Sequence, residues 1–163
     1  MTIGALRSII IENVFQQAVG LSVVESWLEQ LQSNGYRLTN ARRAVVQTVA
    51  RSQRALSPMQ VFEQARSRYP ALGLVTVYRT LEKLEELKLI QRVHQLSGCN
   101  AYLALAEGHQ HLIICLECGR AEYFEGEQME GFFAEVGERH GYRVCEHWLQ
   151  LFGVCQECRT NEN

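Results

Sequence analysis

Two Cys-x-x-Cys pairs, Cys115 with Cys118 and Cys155 with Cys158, constrain this chain more than any other feature. Thiolates at that spacing converge from a tight knuckle, and two knuckles supply the four sulfurs of a tetrahedral zinc shell at about 2.3 Å from the ion. Gly119 suits the turn at the first knuckle. The 36 residues between Cys118 and Cys155 exceed the roughly 15 to 20 of a zinc ribbon, so the pairs are expected to clasp two distant elements together. Disulfides are the competing reading. Six cysteines in 163 residues with no secretory leader favour a reducing, cytoplasmic setting, and with it a structural metal.

Length allows one domain or two small ones whose modest cores a metal would reinforce. No apolar run approaches the ~20 residues of a membrane span. Net charge hides a polarity: residues 1–105 hold 12 Lys+Arg against 7 Asp+Glu, a net +5, and residues 106–163 hold 4 against 11, a net −7. A basic half joined to an acidic half suggests a polyanion-binding module beside a cation-binding one, with two ordinary solvated surfaces as the alternative.

The basic half reads as helices followed by a hairpin. Residues 1–21 form an extension whose role is not legible. Ser22-Val23-Val24-Glu25 has the form of a capping box, and Val24, Trp27, Leu28 and Leu31 recur at helical spacing up to Asn34-Gly35. Thr39 can cap a second helix, and Ser57-Pro58-Met59-Gln60 opens a third with Ser at the N-cap and Pro at the first position. A fourth starts near Leu74, with Val77, Leu81 and Leu84 on one side; Thr76, Arg79 and Lys83 fall on the other, flanked by Tyr78. Leu89–His94 and Asn100–Leu105 read as strands around Ser97-Gly98, which makes residues 22–105 a winged helix-turn-helix.

After a hinge at 106–108, residues 109–163 read as β-β-α-β: a strand into Cys115, a return strand Ala121–Phe124, a helix through Met129, Phe132, Phe133 and Val136 that Gly141 ends, and a strand Tyr142–Phe152. One small helix leaves a strand edge or sheet face to bury, for which self-pairing into a homodimer is the remedy. His109 and His111 are two apart on a strand, so both imidazoles project from one side. With His147 and Glu130 they form a candidate sensory shell suited to Zn(II), or with more oxygen to Fe(II), Co(II) or Mn(II). Glu122, Glu125 and Glu127 are rivals to Glu130. His140 reads as a helix-terminal residue and Cys145 as a buried inert thiol, with a ligand or redox role as the alternative.

Together these stretches closely resemble the ferric uptake regulator (Fur) family over nearly all of residues 22–158. The resemblance is carried by Gly35-Tyr36-Arg37-Leu38-Thr39 with Arg42, Thr76-Val77-Tyr78-Arg79-Thr80-Leu81, the His-rich strand into Cys115-Leu116-Glu117-Cys118-Gly119, and His140-Gly141-Tyr142. It implies an α+β protein with an amino-terminal winged helix for DNA and a carboxyl-terminal α/β dimerisation domain holding a four-cysteine zinc. It further implies DNA contacts from Tyr78, Arg79 and Arg42, and a sensory metal on His109, His111, Glu130 and His147. A second family metal site, between the domains, looks lost or rebuilt, because its matching places hold Ala55, Gln110, Leu112 and Tyr123. His94 and Cys99 near the wing are candidate replacements, against the plainer reading of a residue capping a turn.

The expectation is a homodimeric, zinc-responsive repressor that reads a pseudo-palindromic duplex with metal as corepressor, an iron- or peroxide-responsive regulator being the alternative within the family. A zinc metalloenzyme is the alternative of another class. Nothing in the sequence marks a general base or substrate pocket, and that reading leaves the basic half idle.

Overall fold

The computed structural model describes residues 22–94, 100–106, 108, 110–126 and 129–160. They gather into two compact units, one drawn from Met1–Ser52 and Leu56–Leu105, the other from Gln53–Ala55 and Ala106–Asn163. Among the described residues, no helix is long and apolar enough to cross a membrane.

In the first unit, α1 (22–33), α2 (Asn40–Ala50), α3 (Pro58–Arg66) and α4 (Leu74–Glu86) precede a hairpin of β1 (Ile90–His94) and β2 (Asn100–Ala104). Local chemistry sets the helix starts. The Thr39 hydroxyl accepts from the Arg42 amide at 3.2 Å, and Ser57 and Gln60 form a reciprocal capping box ahead of Pro58. Ser22 and Glu25 are exposed positions of α1, and the residues ahead of Ser22, where the expected capping box would be judged, lie outside the described ones. Leu31, Val45, Val46, Val49, Val61, Val77, Leu81 and Leu84 meet in one dry core, each fully buried side chain contributing about 1.5–3 kcal/mol. Thr80 joins this core by returning its hydroxyl to the Thr76 carbonyl at 2.7 Å. β1 and β2 pair antiparallel from Ile90 opposite Ala104 to His94 opposite Asn100, and Arg92 reaches back from β1 to Glu85 of α4 at 2.8 Å. The Ser97-Gly98 turn lies outside the described residues.

The second unit is a three-stranded sheet in the order β4-β3-β5, made of β3 (His111–Cys115), β4 (Ala121–Phe124) and β5 (Gln150–Gly153), with α5 (Glu130–His140) and the short α6 (Gln156–Thr160). β4 returns antiparallel to β3, whereas β5 runs parallel to it with Cys115 opposite Gly153. Arg54 adds an isolated antiparallel bridge to Arg120. Gly141 ends α5 in the left-handed conformation at φ +75°, as a helix-stopping glycine does. The expected strand from Tyr142 to Phe152 is only partly realised. Ladder geometry begins at Gln150, opposite Leu112. Before it, the Leu149 carbonyl still accepts the Leu112 amide at 3.3 Å, and residues 142–148 join no ladder among the described residues.

Candidate metal centre and nucleic-acid face

The chain's two knuckles meet. Cys115 closes β3, Cys118 follows in a turn whose Gly119 has φ +72°, Cys155 comes two residues after β5, and Cys158 lies in α6. All four sulfurs lie within 4.8 Å of one another. Cys115 to Cys158 and Cys118 to Cys155 each measure 3.8 Å, about the edge of a tetrahedron with metal–sulfur bonds near 2.3 Å. A disulfide needs about 2.05 Å, so these thiols are free and spaced to hold an ion. Backbone amides, chiefly those of Cys118 and Cys155, lower the Cys115 thiol to about 6, whereas hydrogen bonding with Cys155 and burial push Cys158 up to about 12. Arg120 sits beside the knuckles, 2.8 Å from Glu157 and 3.0 Å from Glu122.

Around His111 the side chains are mostly aromatic. His111 is almost wholly enclosed, at 2 % exposure. Its ring centroid is 5.2 Å from His147 and 5.5 Å from Phe124, and Phe133 stacks on His147 at 4.0 Å. Gly126 covers His111 so closely that any β-carbon there would collide with the ring. Glu130, Phe133, Cys145, Glu146 and His147 line an open cleft of about 550 Å³. Glu130, at the first position of α5, thus shares a cleft with His147, but among the described residues only the four sulfurs converge tightly enough for one ion. His109 and Cys99 lie outside the described residues, as do Glu127 and the side chain of His94.

Cys145 is exposed rather than buried. Of the places expected to have lost a family site, Ala55 and Leu112 are 2 % and 3 % exposed, and Gln110 faces solvent.

On the first unit, the outer side of α4 exposes Val75, Tyr78 and Arg79 near its amino end, with Thr76 half-buried among them. Lys83 lies a turn beyond Arg79 but is engaged by Glu86 at 2.8 Å. Arg42 folds back, its guanidinium 5.9 Å from the Tyr36 ring centroid and hydrogen-bonded to the Arg37 carbonyl. Sequence reasoning missed four participants: Gly126, Phe133, Arg120 and Glu86. Only Glu86 carried a local signal, its i,i+3 spacing from Lys83; the others depend on strand packing.

The sequence pattern of the "Ferric uptake regulator family" matches residues 33–152. The ferric uptake regulation protein of Bacillus subtilis is 32% identical over 139 residues, spanning 82% of this chain and 93% of that protein. The zinc uptake regulation protein of Mycobacterium tuberculosis is 29% identical over 126 residues, spanning 77% and 97%. Among solved structures, the ferric uptake regulator of Helicobacter pylori superposes with a TM-score of 0.66 at 27% identity, covering 86% of this chain and 93% of that one.

Proposed function

The chain belongs to the ferric uptake regulator family of metal-responsive transcriptional regulators, and from that premise we propose that it is a zinc-sensing homodimeric repressor with metal as its corepressor. It is a regulator and not an enzyme. One observation carries the zinc reading: metal-capable chemistry in the second unit is sulfur and imidazole, from a tetrahedral four-thiolate cluster and the His111–His147 pair. Soft and borderline donors of this kind suit Zn(II). The apolar Ala55 and Leu112, at places where a ferrous site would call for imidazole or oxygen, support the same choice.

In this reading Cys115, Cys118, Cys155 and Cys158 hold a resident zinc that locks the end of β3 to the β5–α6 connection. His109, His111, Glu130 and His147 take the sensed ion, with His94 and Cys99 as a second candidate set near the wing. Exposed apolar groups on the second unit, Phe132, Tyr142 and Trp148 at 57%, 75% and 61%, support burial against a second copy. Two winged helices then meet successive major grooves of a pseudo-palindromic duplex, with Arg79 and Tyr78 at base edges or backbone and Thr76, Arg42 and Lys83 beside them. For a sensed ion to turn the DNA-competent arrangement from rare to dominant, it must favour that arrangement by roughly 10⁴-fold, about 5.5 kcal/mol. The setting is the cytoplasm.

The test is a titration of DNA binding with protein stripped of its exchangeable ion, against Zn(II), Fe(II) and Mn(II) at one salt concentration, because phosphate contacts are salt dependent. Zinc restores promoter retardation at the lowest free concentration if the reading holds. Iron doing so instead would make this an iron sensor, as the Bacillus subtilis relative's name suggests for that protein.

A further inference from the structure

The exposed stripe of α4 changes sign along its length. Its amino-terminal half presents Val75, Tyr78 and Arg79, whereas its carboxyl-terminal half presents Glu82 and Glu86 with Lys83 between them. Lys83 Nζ lies 2.8 and 2.9 Å from the two Glu86 oxygens and 4.0 Å from a Glu82 oxygen. Tyr36, from the loop before α2, donates its hydroxyl to Glu86 Oε2 at 3.4 Å. Lys83 Nζ and the Arg42 guanidinium carbon lie 5.8 and 5.9 Å from the centre of the Tyr36 ring. One cation and one hydroxyl from separate parts of the chain thus meet at one carboxylate, with a second cation against the Tyr36 ring.

These donors are the kind a phosphodiester oxygen takes: an ammonium, a phenol and a nearby guanidinium. Lys83 follows Arg79 by four residues, about 6 Å along the helix axis. A group at Arg79 that reaches a base pair would put the adjoining backbone within reach of Lys83. The mutual hydrogen bond is also the main reason Lys83 is held above, and Glu86 below, their ordinary titration ranges. Side-chain exposures of 29% and 48% leave the pair open to a competing anion.

We propose that Lys83 forms a backbone-phosphate subsite of the DNA face, which Glu86, steadied by Tyr36, fills in the free protein and yields to a DNA phosphate on binding. This rests on the DNA-binding reading above. Glu86 acts as an internal anion: every association with a duplex first exchanges a carboxylate for a phosphate.

The experiment uses the metal-loaded full chain and a mixed-sequence DNA duplex, followed by fluorescence anisotropy across a salt series. Glu86→Gln should tighten binding about three- to tenfold and steepen the log–log salt dependence, because the parent's displaced carboxylate takes up a cation as the duplex binds and the variant has none to neutralise. Glu82→Gln makes the same change of charge on the same helix and should give less than half that gain. Lys83→Gln should weaken the parent protein's binding and, combined with Glu86→Gln, should abolish the gain that Glu86→Gln gives alone. A gain equal in both Glu variants, or one that persists without Lys83, overturns the subsite. Glu86→Ala, checked for an unchanged melting curve, repeats the test should the Gln variant fold poorly. Parent protein that binds the duplex while Glu86→Gln gains nothing defeats this inference alone; parent protein that binds no DNA in any metal form defeats the functional reading with it.

Discussion

Gly126 lies against the imidazole of His111 so tightly that a β-carbon on it would fall onto ring atoms Cδ2 and Nε2. The contact fixes where that ring can be.

Gly126→Ala must therefore push the His111 ring toward Phe124 or Phe133. Overpacking of this kind costs about 1–3 kcal/mol, and displacing a ligand ring lowers metal affinity about 10- to 100-fold, as outer-shell changes do. Calorimetric titration of the exchangeable ion should show that weakening while the four-thiolate metal stays in place. Unaltered affinity would remove His111 from the sensory shell.

Replacing one clasp thiolate, Cys118→Ser, should cost the resident metal and most of the second unit's order. Structural zinc contributes about 10–16 kcal/mol in small sites, more than a three-stranded sheet with a half-exposed helix can replace. The first unit has its own dry core of α1–α4. Limited proteolysis should then leave a protected amino-terminal fragment, and metal analysis should show one equivalent fewer per chain.

Arg79→Ala should weaken operator binding by about 1–3 kcal/mol and flatten the preference at the base pairs it reaches. Its guanidinium is exposed and supports no part of the core, so the melting temperature should not move. Anisotropy with matched and mutated duplexes separates these effects, and equal losses on both would assign Arg79 to phosphate.

Gly137→Ala tests the packing of the unpaired segment. Alanine improves helix propensity by about 1 kcal/mol, but the new β-carbon would meet the Tyr142 carbonyl oxygen at 2.7 Å and Val144 Cγ2 at 2.8 Å. One of those neighbours is backbone and cannot turn aside. The steric term should win, for a net destabilisation of about 1–3 kcal/mol by denaturant unfolding.

Local chemistry explains why so much of the fold was legible. Thr39, Ser57-Pro58 and Gly141 mark helix ends through their own backbone preferences, and the apolar run His111–Cys115 marks a strand without help from elsewhere. The four-thiolate cluster followed from spacing alone. What stayed hidden depends on partners distant in sequence. Whether Tyr142–Phe152 is a strand along its whole length depends on a neighbour to pair with: the Leu149 carbonyl accepts the Leu112 amide, and residues 142–148 join no ladder among the described residues. Gly126 and Phe133 frame His111 and His147 through packing that no periodicity encodes.

Cys115 stands opposite Gly153 in the parallel pairing of β3 and β5, and Cys155 follows two residues later. Sliding β5 by a single residue would carry the second knuckle about 3.3 Å along the sheet. That is nearly a whole 3.8 Å sulfur edge, so the four thiolates could no longer enclose an ion. The four thiolates could therefore take a metal only in this one alignment of β5 on β3.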